Sequence, residues 1–398
     1  RLSLTRAGQM QNTSCLIIFM ILGWNFSKSG STDHYIVRRY NHKDNHYASI
    51  GNLPLYPSCD KLFGIDTDGK CSAKGIPGQC CSHFDPQNVS MVSIYCVPSL
   101  IIAGGSKCGT KELRGILLQH PNTKVYGVME PFFFCNKYFG RCLIYSYIRM
   151  FQIHPRSATP PFSFDKSTGY MVKSIFMERI RYLVPTMPIV ITLRFPTDRM
   201  FSYYKQTCRY DNDFIKITKV TNTSYTSYLG RVYRAGVIRL SFAKYEHVKQ
   251  CDSDNFHNYI VQNIRKTSSL IQSNKLNPLN VLSNDAKDFL KLSDYETQVQ
   301  AIVRLFPKNQ IKLLFLEEWG SDVIHTVKSI AKFANISSYN FKKPTEVKKM
   351  AHNEDPIKDF DRYLLDLFFT PWMQRFEVLL KKEFKRSLPQ VWKDRLVK

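Results

Sequence analysis

No stretch of this 398-residue chain reaches the roughly 20 consecutive apolar residues of a full membrane-spanning helix. The run Cys15-Leu-Ile-Ile-Phe-Met-Ile-Leu-Gly-Trp24, behind Arg1 and Arg6, is short for one. That leaves a signal anchor, a cleaved signal core or a buried helix. Acidic residues are also few. Asp and Glu total 32 against 56 Lys and Arg, a formal net charge of +24. A chain of that sign repels cationic partners and draws anionic ones in a salt-dependent way. Zinc-finger spacing, an RNA-binding ribonucleoprotein motif and an arginine-rich tail are all missing, so nucleic acid is not the expected polyanion. The absence of any internal repeat excludes a solenoid. Cysteine, by contrast, is plentiful: eleven residues, which fits a disulfide-permissive compartment.

What is present is concentrated in two short segments. Pro98-Ser-Leu-Ile-Ile-Ala-Gly-Gly-Ser-Lys-Cys-Gly-Thr-Lys-Glu-Leu113 reads as a buried strand, a glycine-rich turn and a helix start. Gly104, Gly105 and Gly109 let the backbone approach an anion, and the helix N-terminus offers unpaired N–H groups. Lys107 adds a full charge. The spacing of Gly104 and Gly109 matches a nucleoside triphosphate P-loop, but Thr110 stands where that motif needs lysine.

The second segment is Pro188-Ile-Val-Ile-Thr-Leu-Arg-Phe-Pro-Thr-Asp-Arg-Met-Phe-Ser-Tyr-Tyr204. Ile189–Leu193 is a β-branched run suited to a strand buried on both faces. Arg194 sits at its carboxyl end, where open α/β sheets bind ligands. Pro196 ends the strand, and Thr197 or Asp198 is expected to cap the following helix, which carries Ser202. An arginine fork plus a hydroxyl suits a phosphate monoester.

These two segments, in this order, resemble the donor-binding motifs of Golgi-type carbohydrate sulfotransferases. The likeness is to the heparan N- and 3-O-sulfotransferases and to N-acetylgalactosamine 4-sulfate 6-O-sulfotransferase. The donor in that family is 3′-phosphoadenosine 5′-phosphosulfate, a co-substrate used without a metal. By the resemblance, Lys107, Cys108, Gly109, Thr110 and Lys111 hold its 5′-phosphosulfate. Arg194 and Ser202 hold its 3′-phosphate. Val125-Tyr-Gly-Val-Met-Glu-Pro-Phe-Phe-Phe134 looks like a strand ending at the family's general base, which makes Glu130 the base here. Apolar neighbours such as Phe132 and Phe133 would raise its proton affinity. Phe162-Ser-Phe-Asp-Lys-Ser-Thr-Gly-Tyr170 resembles the family's F-E-K-[ST]-x-x-Y segment, so Lys166 becomes a second catalytic cation beside Lys107, with Ser167 and Thr168 as hydrogen-bonding helpers. Thr110-Lys111 replaces the usual Thr-Thr, one hydroxyl fewer and one charge more.

The resemblance covers about residues 96–385 and implies an α/β fold: a P-loop-like parallel β-sheet flanked by helices, the sulfotransferase fold. Residues 1–30 are read as a signal anchor or signal segment, 31–95 as a Cys-rich stem and 96–390 as the catalytic domain. Strands are expected at 99–103, 124–128, 189–193 and 311–316. Helices are expected at 110–119, 173–184, 198–206, 296–306, 322–334 and 361–385, and residues 210–290 as helices and loops lining an acceptor cleft. In the last helix Phe368, Pro371 and Trp372 are assigned to the core. Tyr295 is either a ligand contact or a packed core tyrosine, and Glu317 and Glu318 are structural. Lys348, Lys349 and His352 occupy the region of the family's basic loop. A zinc knuckle through Cys71, Cys80, Cys81 and His83 is the alternative to disulfides in the stem.

The expected activity is sulfuryl transfer to a hydroxyl, with an amine second, of an anionic polysaccharide or other glycan such as a glycosaminoglycan. The expected location is the Golgi membrane, single-pass type II with a lumenal catalytic domain, or a secreted form; sequons at Asn25, Asn88, Asn222 and Asn335 are compatible with a lumenal glycoprotein. Two rivals stand beside it: a P-loop-type kinase, and a non-catalytic lumenal nucleotide- or glycan-binding protein.

Overall fold

The computed structural model describes residues 58–63, 74–84, 92–121, 123–124, 130–135, 143–153, 162–206, 253–272, 292–343 and 356–396. Eight strands fall in this set: β1 (Cys80–Phe84), β2 (Val92–Cys96), β3 (Leu100–Gly104), β4 (Thr123–Lys124), β5 (Gln152–Ile153), β6 (Phe162–Lys166), β7 (Ile189–Leu193) and β8 (Ile311–Phe315). Five of them form one sheet in the order β4-β6-β3-β7-β8, every pair parallel. The chain starts at the central strand β3, runs outward to β4, returns to β6, then crosses to β7 and β8. The order therefore reverses beside β3, and the crevice at the carboxyl ends of β6, β3 and β7 is where such sheets take ligands.

Both faces of the central strands are apolar, as a sheet covered on two sides requires. Side chains alternate between faces. Ile101, Ala103, Ile189, Ile191 and Leu193 enter one core, and Leu100, Ile102 and Val190 enter the other. The β6 strand breaks the rule on one side: Phe162 and Phe164 join the second core, while Ser163 and Asp165, both fully buried, point the other way. Helices Thr110–Leu117 and Val323–Phe333 cover the second core; Ser174–Leu183 and Tyr295–Leu305 cover the first.

The expected strands at 99–103, 189–193 and 311–316 and all six expected helices are present within a few residues. The strand expected at 124–128 lies mostly outside the described residues. Two features were not expected. One is β6, whose alternation of Phe with Ser and Asp hides a strand buried on both faces. The other is a three-stranded antiparallel sheet, β1-β2-β5, which pairs strands of the Cys-rich stem with a short strand from residues 152–153. Adjacent residues on a strand face opposite sides, so Cys80 and Cys81 take different partners. Cys80 bonds Cys96, its register partner on β2, and Cys81 bonds Cys59. These bonds consume two of the sulfurs of the zinc alternative, which is thereby excluded. Cys108 and Cys135, both buried, lie outside these two disulfides.

The closing helix runs Asp359–Phe384, and its buried stripe is Leu365, Phe369, Met373, Phe376 and Leu380 at steps of three and four. Pro371 is exposed and Phe368 and Trp372 are half-buried, so the core face is rotated by one residue from the expected one. Pro196 is the first helical residue of 196–206 rather than a spacer before it. Thr197 and Asp198 consequently lie inside the first turn and do not cap it. The Thr197 hydroxyl donates to Asp366 (2.5 Å), and Asp198 is paired with Arg362 (2.7 Å) and Arg395 (2.5 Å). No helix of the described residues is long and apolar enough to cross a membrane; residues 1–30 lie outside that set, as do Lys348, Lys349 and His352.

Candidate active site

Gly104–Thr110 connects β3 to helix Thr110–Leu117 in a turn whose backbone is tied to the neighbouring strand. The Gly105 N–H donates to the Thr192 carbonyl (2.5 Å), and the Thr192 hydroxyl donates to the Gly104 carbonyl (2.8 Å). Gly109 occupies the N-cap with φ 79°, and no side chain caps the helix. A Cβ at Gly109 would stand 2.3 Å from Trp319 Cζ2, so only glycine fits. Gly109 has no side chain to cap the first N–H groups of the helix, which lie at the positive end of its dipole. Such an end accepts an anion.

Lys107, half-buried within the turn, adopts φ 68°, a left-handed conformation that costs a lysine about 1 kcal/mol. Burial pushes its pKa down to about 8. Glu112 opposes the shift, and the charges of Arg194 and Lys111 add to it. Burial disfavours the charged form of a lysine, and neighbouring positive charges add to that effect. Cys108 is fully buried, its thiol directed to the Ser106 carbonyl (3.6 Å), and burial raises it to about 12. It stays neutral and serves as packing beneath the turn. Thr110 is buried at the helix start, whereas the Lys111 side chain is exposed.

Arg194 follows β7 directly and is half-buried. Its backbone is held twice. The Tyr295 hydroxyl donates to the Arg194 carbonyl (2.7 Å), and the next N–H, that of Phe195, donates to Glu317 (2.9 Å). Tyr295 is fully buried against Phe376 and Trp392, so it is a core tyrosine that fixes the arginine's turn. Ser202 is buried in helix 196–206.

Glu130 and Lys166 meet. The Lys166 ammonium donates to Glu130 Oε1 in an ion pair, both side chains about one-sixth exposed. The Thr168 backbone N–H (2.9 Å) and hydroxyl (2.9 Å) donate to Oε2. The carboxylate is therefore surrounded by donors. The expected phenyl neighbours turn elsewhere: Phe132 packs on Tyr170 and Phe133 on Tyr147. Lys166, Lys107 and Arg194 follow or end β6, β3 and β7, three adjacent parallel strands. Neighbouring strands lie about 4.8 Å apart, so β6 and β7 are separated by about 10 Å.

Sequence reasoning missed Asp165. It is fully buried and accepts from the Tyr147 hydroxyl (3.0 Å), the Tyr170 hydroxyl (3.0 Å) and the Ser167 hydroxyl (2.7 Å). The signal was present as the acidic residue in the F-E-K-[ST]-x-x-Y pattern, but its inward direction depends on β6 being a strand. Among the described residues no group of three or more His, Cys, Asp or Glu is arranged to hold a metal.

No protein-family model matches the chain. Its curated relatives are sulfotransferases. It is 22% identical to carbohydrate sulfotransferase 15 of Mus musculus over 344 residues, 73% of this chain and 54% of that protein. Over shorter segments it is 31% identical to bifunctional heparan sulfate N-deacetylase/N-sulfotransferase 1 of Mus musculus (29% of this chain, 13% of that protein). It is 29% identical to heparan sulfate glucosamine 3-O-sulfotransferase 6 of Homo sapiens (28% and 30%). The chain spans about half the length of the first of these. The comparisons agree with the resemblance read from the two anion-binding segments.

Proposed function

We propose that this chain is a carbohydrate sulfotransferase that moves a sulfuryl group from 3′-phosphoadenosine 5′-phosphosulfate to a hydroxyl of a glycan, with a glycosaminoglycan as the leading acceptor class and an amine as the second choice. The observation that carries the reading is the row of three cations at the ends of β6, β3 and β7, with the Glu130 carboxylate beside the first. The residues present suit a bisphosphorylated nucleotide. An uncapped helix start and Lys107 would take the 5′-phosphosulfate. Arg194, with Ser202, would take the 3′-phosphate on the far side of β3. The donor supplies the activated sulfuryl group; the rest of the chemistry falls to the protein.

In this reading Glu130 removes the proton of the acceptor hydroxyl. Lys107 and the open N–H groups stabilise the charge that grows on the departing phosphate oxygen, and Lys166 steadies Glu130 and the acceptor side. Fixed donors aimed at developing charge are the largest catalytic contribution such a site offers. Disulfides Cys59–Cys81 and Cys80–Cys96 favour an oxidising compartment, in keeping with the Golgi lumen and an N-terminal membrane anchor. The net charge of +24 suits an anionic acceptor.

The test is transfer of labelled sulfate from the nucleotide donor across a panel of desulfated glycosaminoglycans. Incorporation into one or more polymers is expected. Tight binding of adenosine 3′,5′-bisphosphate without any transfer would instead select a non-catalytic nucleotide-binding protein.

A further inference from the structure

Asp165 sits where a charge is costly. It is fully buried on the face of β6 opposite Phe162 and Phe164, and a buried carboxylate persists only with partners. Its partners arrive from two directions. Tyr147, on the short helix Leu143–Ile148, and Tyr170, just past the strand, both donate to one oxygen. The Ser167 hydroxyl donates to the other. Having given its proton to Asp165, that hydroxyl can only accept from elsewhere. It accepts the Phe132 backbone N–H at 3.1 Å.

Phe132 is the second observation. Its backbone lies at φ 47°, a left-handed conformation that a bulky aromatic residue rarely adopts and that surrounding structure must hold in place. The ring is buried against Tyr170, and a Cβ on Gly169 would come within 3.0 Å of it. Two residues before Phe132, across Pro131, stands Glu130. One short segment, 166–168, therefore grips both ends of another, 130–132: Lys166 and Thr168 take the Glu130 carboxylate, and Ser167 between them takes the Phe132 backbone.

We infer that Asp165 is a positioning residue: held by Tyr147 and Tyr170, it orients the Ser167 hydroxyl, which locks the strained Phe132 backbone and so sets the reach of Glu130 toward the acceptor. The inference rests on the reading of Glu130 as the base. It gives Ser167 a role directed inward, away from the donor. Asp165 and Ser167 touch no reacting atom; they act through Glu130.

The test uses the full chain with Ser167→Ala, Ser167→Thr and Asp165→Asn. Ser167→Ala removes the relay with little change of volume, so it stays informative if Asp165→Asn fails to fold. Amide exchange across residues 130–135 is expected to quicken in Ser167→Ala and to return to the native rate in Ser167→Thr, which keeps the hydroxyl. For sulfuryl transfer, kcat in Ser167→Ala is expected to fall by about 10- to 100-fold, the scale of a small misplacement of a catalytic group. Affinity for adenosine 3′,5′-bisphosphate is expected to stay at the native value. Native exchange rates in Ser167→Ala overturn the inference, as does loss of nucleotide affinity in step with kcat, or failure of threonine to rescue. Should the native protein transfer no sulfate at all while exchange responds as described, the reading of the reaction falls and the positioning network stands on the exchange data.

Discussion

Lys166 and Glu130, 36 residues apart in sequence, close on one another as an ion pair at the carboxyl end of β6. The Thr168 N–H and hydroxyl complete the grip on the carboxylate. A carboxylate held by three donors has little freedom to leave its place, which is what the proposed proton abstraction from a bound acceptor would demand.

Replacing that carboxylate isolates its chemical role. Glu130→Gln keeps the size and an acceptor oxygen for Thr168 but cannot take a proton at neutral pH. Sulfuryl transfer should fall by about 10²–10⁴-fold. Calorimetric binding of adenosine 3′,5′-bisphosphate should be unaltered. Normal turnover in this variant removes Glu130 as the base.

In the proposed function Arg194 takes the 3′-phosphate, a role given to it by the resemblance. Arg194→Ala should weaken the bisphosphate nucleotide by about 10- to 100-fold, the worth of charge-assisted hydrogen bonds. Nucleotide lacking the 3′-phosphate should lose much less. Equal losses for both ligands would take the phosphate role from this arginine.

The pKa of Lys107 near 8, lowered by burial, gives the free protein a titration just above neutrality. Below about pH 8 the ammonium is present and anion binding is full. As pH rises through 8 the charge is lost and nucleotide affinity should decline. Lys107→Arg, charged throughout, should bind with an affinity nearly constant from pH 7 to pH 9.5. A native binding profile that is flat over that span contradicts the assignment of Lys107 to the anion.

Burial raises Asp165 to about 7, with the Glu130 charge adding to the rise and the Ser167, Tyr147 and Tyr170 hydroxyls opposing it. The sign follows from linkage. Between the unfolded value near 4 and the folded value near 7 the native state holds a proton that the unfolded chain has released. The contribution of this group to stability is therefore full below pH 4 and is lost as pH climbs to 7, by on the order of 4 kcal/mol. Relative to the native chain, Asp165→Asn should gain stability between pH 5 and pH 7.5 in urea unfolding. A relative stability that is level or falls over this range refutes the shift.

The glycine-rich turn and the strand before Arg194 were legible in the sequence because their signals are local. Gly104, Gly105, Lys107 and Gly109 lie within six positions, and Ile189–Leu193, apolar but for Thr192, announces a covered strand that Arg194 follows. The acceptor side was legible only as a resemblance. That Lys166 would meet Glu130 depends on β6 lying beside β3, and β6 is disguised by Ser163 and Asp165, polar residues buried where a core strand is ordinarily apolar. Tyr147 reaches Asp165 from 18 residues upstream, so no window of sequence shows the pair. The closing helix is similar: Phe368 and Trp372 pack only half-buried at the edge of the core, while the fully packed stripe is set by Leu365, Phe369 and Met373. The Cys80–Cys96 bond needed the β1–β2 register, which spacing alone does not contain.

Three charges stand at or just past the carboxyl ends of three adjacent strands of one parallel sheet, so the hydrogen-bonded spacing of the strands sets how far apart they arise. Connections at the opposite rim can lengthen or change without altering that gauge. A scaffold of this sort tolerates drift there while the separation of the three positions stays the same.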